Sequence, residues 1–524
     1  MKKPIRLLVA SAMTIALTSC AADAPDTEPV DGGTFTMAIG SDPGALDPAF
    51  TTAGVTHQVQ QFVYDSLLYV DANGDLVAGL AEDWDGTNTE ATFTLRDGIT
   101  CSDGSPLTAS DVEANINFIA DPDNQSTRTG LFVPPLATAT ADDETRTVTV
   151  TSDTPDAFLV QNIGSVLIVC GDGLEDRSTL EQGALGTGPF VLEEFVAEDH
   201  YTFSRRADYA WGPGEWDTDV VGLPDTVILR IVPNETTAAN LLLEGSVNAT
   251  AISGADQRRM SDNELFEREL VNPLGWLWFN QAEGLPGESE DVRRALTQLV
   301  NLEELGTALS GDLGRPSESL VVPGLGVCEV NTIDGNLPGH DPEAGMAGLA
   351  AAGWESTDSG LMRDGQQMSI SLLYPTSYGS SMAAGVELLA AEWREIGVDV
   401  TARGVTDVES SQVILGGEGS WDVTFMPIGI TQPGQIVPYL DGPTPPDGVN
   451  FAAIDNPEYL AAVGEASGLP GAEGCDTWAE AESALVSAVD VVPFVDAVTV
   501  FYGSSVEFEL FQGSVAPTSI RMLG

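Results

Sequence analysis

Along Thr34-Phe35-Thr36-Met37 apolar and polar positions alternate, and the pattern breaks at Gly40 and Pro43, which predicts a strand running into a turn. The stretch 63–84 reads as two strands around the polar turn Asp71–Asp75. A calcium loop of the EF-hand kind needs further ligands and a distal Glu that this stretch lacks. Residues 91–119 give a strand, a Gly turn and a helix, with Thr108 to Asp111 supplying the capping side chains. At 183–211 a Gly-Pro turn leads into paired strands. At 225–250 a strand is followed by a capped helix with apolar Ala238, Leu241 and Leu242, and a Gly-bearing exit.

The second half repeats this grammar. Residues 289–309 predict one amphipathic helix, with Val292, Leu296, Leu299 and Val300 on its apolar face. Residues 368–374 alternate as a strand, and 381–405 read as a helix that stops at Gly397 and passes into the strand Val398–Ala402. Residues 420–428 read as a buried strand. Strands alternating with helices in both halves imply two α/β lobes, and a chain of 524 residues exceeds what one core holds.

The first twenty residues break the pattern. Lys2, Lys3 and Arg6 precede an apolar run, Leu7 to Leu17, which is too short to span a bilayer of ~30 Å. Small residues and Cys20 follow at once. This layout resembles a bacterial lipoprotein signal, which implies that Cys20 becomes a lipidated N-terminus. Residues 21–33 carry Val30 as their one large apolar residue and are expected to form a flexible tether.

Composition changes the picture in one respect. The chain carries 80 acidic against 20 basic residues, a net charge of −60, yet 43% of it is hydrophobic, so it is acidic and globular. No lysine follows position 3. Such a surface argues against nucleic acid or anionic lipid as partners, and its even spread suits solubility in a salty exterior. Four cysteines follow Cys20: Cys101, Cys170, Cys328 and Cys475. In an exported chain they suggest two disulfides, with three pairings open. None has C-x-x-C spacing and the three histidines, His57, His200 and His340, are far apart, which argues against a zinc site; no metal or cofactor is expected. The chain has no G-x-S-x-G, H-E-x-x-H or S-x-x-K pattern, so hydrolase chemistry is not expected.

Eight segments in order, from "AIGSDPGALDPAF" through "FTLRDGITCSDGSPLTASDV", "GTGPFVLEEF" and "LLAAEWREIGVDV" to "WDVTFMPIG", resemble the family 5 solute-binding proteins of ABC importers, the oligopeptide-, dipeptide- and nickel-binding lipoproteins. The resemblance covers residues 34 to about 430 and weakens beyond. It implies a two-lobed periplasmic-binding-protein fold, type II and large cluster C-like. Lobe I would span 33–272, with an inserted subdomain at about 60–185, and lobe II 275–500, with 501–524 returning to lobe I. It further implies a Cys101–Cys170 bridge in the subdomain and a Cys328–Cys475 bridge in lobe II. A solute, peptide being the first expectation, would be enclosed by hinge closure and delivered to a permease and ATPase by a monomeric, lipid-anchored receptor; a chemosensory role would use the same closure.

Carried over by position, the ligand would meet Gly40, Ser41 and Asp42, then Trp276, Trp278 and Asn280, then Met426, Pro427, Ile428, Gly429 and Thr431. Trp276 and Trp278 share one face of a strand, and at least one is expected to face the cleft. The family's peptide binders carry an Asp after the strand that contains Trp421-Asp422, where it pairs with the peptide's amino group. Here "MPIGITQPGQ" holds no acid, and Asp422 sits near the strand's start, which makes a carbohydrate, a blocked peptide or another neutral solute a real alternative. Thr431 and Gln432 offer hydrogen bonds to such a ligand.

Overall fold

The computed structural model describes residues 28–51, 53–71, 74–181, 183–214 and 219–524. The export signal, Cys20 and the tether up to residue 27 lie outside the described residues.

A ten-stranded sheet joins the two lobes. In lobe II it holds Asp399–Val405, Ser369–Pro375 and Val423–Phe425; in lobe I it holds Ala249–Ile252, Thr34–Ile39, Thr226–Ile231, His200–Arg205 and Phe190–Val196. Between them lie two long antiparallel strands, Phe266–Phe279 and Val491–Gly503, that run through both lobes. Phe266 sits opposite Gly503 at one end and Trp278 opposite Val491 at the other. Their ladder is irregular between Pro273 and Trp276. Proline donates no ladder hydrogen bond, and a Cβ on Gly275 would lie 2.4 Å from Val495 Cγ1, so this site demands glycine. Such a bulge bends the strand locally.

In lobe I the parallel pair Thr34–Ile39 and Thr226–Ile231 anchors the core of Phe35, Met37, Val227 and Leu229. The C-terminal tail closes over it: Gln58 Nε2 donates to the Val515 carbonyl at 3.1 Å, and Val515 N–H donates back to Gln58 Oε1 at 2.7 Å. A separate antiparallel sheet, in the order Ala81–Gly86, Glu90–Leu95, Thr147–Thr151, Thr138–Asp142, has the helix Ala109–Ala120 against it. Val112, Ile116 and Ile119 from that helix share one core with Phe93, Val148 and Val150. The Thr108 hydroxyl accepts from Asp111 N–H at 3.1 Å, and Asp111 Oδ2 accepts from Thr108 N–H at 2.9 Å, a reciprocal cap. Leu68–Val70 pairs antiparallel with Leu76–Ala78, and Asp75 N–H donates to Asp71 Oδ1 at 3.0 Å between them.

Lobe II follows the predicted order with two corrections. Residues 289–309 form two helices, Glu290–Gln298 and Leu302–Ser310, because Asn301 caps the second one, its Oδ1 accepting from Glu304 N–H at 3.3 Å. The strand expected over 420–428 is only Val423–Phe425, since the chain leaves the sheet at Met426. The helix Gly379–Glu395 does end before Gly397, whose φ of +93° is left-handed. Both disulfides, Cys101–Cys170 and Cys328–Cys475, have the pairings the resemblance implies.

Candidate ligand site

The two tryptophans expected at the cleft are elsewhere. Trp276 and Trp278 are 1% and 0% exposed. They lie on a central strand, and Ile436, Leu440, Phe451 and Leu485 cover their face. Trp278 Nε1 donates to the Met426 carbonyl at 2.8 Å, so the ring fixes the start of the loop rather than contacting solute. Asn280 is displaced further. Its Nδ2 donates to the Trp421 carbonyl at 3.1 Å and its N–H to the Asp422 carbonyl at 2.9 Å, which puts it at the opposite end of Val423–Phe425 from the loop that begins at Met426. Asp422 is at that same far end, its Oδ2 accepting from Ser371 N–H at 2.7 Å.

Gly40 and Ser41 are exposed where the first strand ends. Asp42 is occupied by the protein itself, accepting from Gly44 N–H at 2.9 Å, Glu198 N–H at 2.9 Å and Tyr201 Oη at 3.0 Å. Burial works against its ionisation, and these donors outweigh burial, so the carboxyl sits below its ordinary value. Met426 to Gly429 lie on the loop after Val423–Phe425 and line neither of the cavities below; Thr431 does line one.

That cavity, of about 230 Å³, is walled by both lobes. Lobe I contributes His57, Arg128, Phe132 and Asn162, lobe II contributes Leu325, Thr431 and Gln432, and the C-terminal tail adds Gln512. A second cavity of about 280 Å³ shares Phe132, Asn162 and Gln432 with it and reaches Asp156 and Trp478. The lobe II wall is uncharged and braced: Gln435 Oε1 accepts from Thr431 N–H at 2.9 Å and Gln432 N–H at 3.1 Å.

The lobe I wall carries the charge. Arg128 sits in a loop pinned by Ser126 Oγ donating to the Ala49 carbonyl and Thr129 Oγ1 to the Ile119 carbonyl, each at 2.6 Å. Its Nε donates to the Thr51 carbonyl at 3.1 Å, and its guanidinium carbon lies 4.7 Å from the Phe132 ring centroid. Burial lowers its pKa to about 10, which leaves it a cation at neutral pH. His57 is pushed down to about 4, first by burial and then by the Arg128 charge, so it is neutral there. Asp156 has its pKa raised by burial, and both oxygens are engaged, by Phe158 N–H and by Asn162 Nδ2, each at 2.9 Å.

The lobes touch around these cavities. Ala157 and Phe158 pack on Ala466, Trp478 and Cys328, with the Cys328–Cys475 bridge behind them. Gly471 N–H donates to the Ala157 carbonyl at 2.6 Å and Asn88 Nδ2 to the Ser467 carbonyl at 3.1 Å. These contacts join the two lobes directly.

Of the residues expected by position, Thr431 lines this cavity; Arg128 and His57, which line it from lobe I, were not among them. Arg128 and His57 are isolated in sequence, and what sets Arg128 apart, burial without an acid, is visible only once the chain is folded.

Two α/β lobes on a shared sheet, irregular at the crossover and enclosing a cavity, define a solute-binding receptor. The chain belongs to the bacterial extracellular solute-binding proteins, family 5, whose middle-region pattern matches residues 75–444. It is 26% identical over 406 residues to the nickel-binding periplasmic protein of Escherichia coli strain K12, covering 73% of this chain and 72% of that one. It is 23% identical over 309 residues to the dipeptide-binding protein DppE of Bacillus subtilis strain 168, covering 54% and 55%. A crystal structure of a substrate-binding protein from Microbacterium hydrocarbonoxydans, complexed with 4-hydroxybenzoate hydrazide, superposes with a TM-score of 0.71 at 26% identity, covering 93% of this chain and 99% of that one. The family consists of solute-binding proteins, and among the described residues no helix is long and apolar enough to cross a membrane.

Proposed function

We propose that this chain is the extracytoplasmic receptor of an ABC importer, which encloses one small solute between its lobes and presents the closed form to a membrane permease and its ATPase. It makes and breaks no bond in the solute, works as a monomer, and is held at the membrane by lipid on Cys20. The observation that supports this reading best is a cavity whose opposite walls come from different lobes, sealed by Phe158 on Trp478. A ligand that contacts both walls binds the closed state better and shifts the hinge toward it.

Short peptides are the first class to test, given the dipeptide-binding relative. The absence of an acid from Thr424 to Gln435 favours a second class, solutes without a free ammonium, because a buried ammonium with no carboxylate is costly. The test is native mass spectrometry of protein purified from its host, followed by thermal-shift titration with the co-purified solute. A ligand at 100 times its Kd should add about 2.7 kcal/mol of stability. Absence of any bound solute, with no small solute raising Tm and turnover of a substrate instead, refutes the receptor reading.

A further inference from the structure

We infer that the solute carries a carboxylate, and that Arg128 is the residue that binds it; this rests on the receptor reading above. Three arginines are buried among the described residues: Arg128, Arg206 and Arg293. Arg206 is paired with Asp208 at 3.0 Å and Arg293 with Asp490 at 2.7 Å. Arg128 has no carboxylate partner among the described residues, in a chain with 80 acids to choose from. Its protein contacts, the Thr51 carbonyl and the face of Phe132, engage Nε and the flat of the guanidinium. The two Nη groups, which form the fork that matches a carboxylate, are left for the cavity that Arg128 lines.

The surroundings fit the same ligand. Among the described residues no acid lines that cavity, so none there competes for the fork. His57 and Gln512 beside it, and Asn162, Thr431 and Gln432 around it, are neutral hydrogen-bonding groups. Phe132, Val70 and Leu325 give apolar wall. The adjoining cavity does have an acid, Asp156, but its two oxygens already accept from Asn162 and Phe158. Among the described residues the site thus presents one uncompensated positive charge and no free negative one. A buried cation of this kind is unfavourable in the empty closed state and is neutralised by an incoming carboxylate, which couples binding to closure.

The experiment compares matched acids and amides: a dipeptide and its C-terminal amide, the N-acetylated dipeptide and its amide, and phenylacetate and phenylacetamide. Acetate serves as the minimal carboxylate and sulfate as a non-carboxylate anion. Binding is read by calorimetry and thermal shift on the wild type, on Arg128→Gln and on Arg128→Lys. Acids should bind at least tenfold tighter than their amides. Arg128→Gln should weaken the acids about 100-fold and leave the amides within twofold, and Arg128→Lys should recover part of the loss. An unchanged circular dichroism spectrum and ligand-free Tm in Arg128→Gln would show that the fold survives.

Equal binding of acid and amide, or discrimination that persists in Arg128→Gln, overturns the inference while the receptor reading stands. Preference for sulfate over every carboxylate also overturns it and assigns the cavity to a tetrahedral oxyanion. If no probe and no co-purified solute binds either form, the receptor reading and the inference fall together. A gain confined to the dipeptide acids marks a peptide, and a gain shared by phenylacetate marks a simpler carboxylic acid.

Discussion

Arg293 and Arg128 are both buried, and the fold treats them in opposite ways. Arg293 points into lobe II, where Nη2 meets Asp490 Oδ1 at 2.7 Å and the Ala488 carbonyl at 2.9 Å, Nε meets the Val489 carbonyl at 2.9 Å, and Nη1 meets the Gly287 carbonyl at 3.0 Å. Asp490 in turn accepts from Asn456 Nδ2 at 2.8 Å and Gln281 Nε2 at 3.1 Å. That network ties the helix Glu290–Gln298 to the start of the second crossover strand, and it is part of what holds the lobe's shape. Arg128 is nearly as dry but has one carbonyl and one aromatic face. A partnered charge belongs to the fold; a charge buried without a partner costs stability and is explained by a ligand that supplies what the protein omits.

The sharpest break between the two is in stability. Arg293→Met leaves Asp490 buried without its cation and should cost about 3–5 kcal/mol, seen as a lower urea midpoint at constant m-value. Arg128→Met removes a charge with no acid partner among the described residues and keeps the apolar contact with Phe132, so the ligand-free protein should change by no more than about 1 kcal/mol, or gain. Comparable losses in both variants would mean that Arg128 has a structural partner in solution and would erase the contrast.

Buried carboxylates extend the comparison to the opposite sign. Glu482 has no cation partner among the described residues and accepts from Leu320 N–H and Thr332 Oγ1; burial outweighs these donors and raises its pKa to about 6. Asp496, beside the irregular crossover, accepts from Ser317 Oγ at 2.7 Å, and burial lifts it likewise to about 6. Both folded-state values lie above those of the unfolded chain, so the folded state holds the protons more tightly. Their contribution is full below about pH 4 and is lost as pH rises to about 6, on the order of 2 kcal/mol for each group. Urea titrations at pH 4.5, 5.5 and 7 should show the fall, and Glu482→Gln should flatten part of it. A slope that Glu482→Gln leaves untouched would move the effect to other groups.

These contrasts also mark how far the sequence could be read. Alternation and capping were enough for most elements, since Thr34–Ile39, the Thr108 cap and the stop at Gly397 depend on neighbours within a few residues. The helix break at Asn301 was equally local, but the apolar face of Val292, Leu296 and Leu299 continued through it and hid the cap. The cleft was harder. Trp276 and Trp278 do share a face, and whether that face meets solute or Phe451 depends on a segment some 170 residues further on, where no periodicity speaks. Arg128 needed more still, because its distinguishing property is an absence that only the folded surroundings reveal.

The smallest effect concerns the route to the site rather than the site itself. With a net charge of −60, the molecule repels an approaching carboxylate even though its cavity attracts one. Salt screens the two forces unequally. The Debye length falls from about 10 Å at 0.1 M to about 3 Å at 1 M, which weakens repulsion from surface acids, while Arg128 inside the closed cavity is screened much less. The association rate of phenylacetate should therefore rise severalfold between 0.1 and 1 M salt, its dissociation rate should stay nearly constant, and phenylacetamide should show neither change in stopped-flow traces. An ordinary exposed ion pair weakens with salt, so tighter binding of the acid at 1 M would separate a buried Arg128 from any surface arginine. An association rate that falls with salt would mean that the anion is steered by a positive surface, and the distinction between the enclosed cation and the acidic exterior would fail.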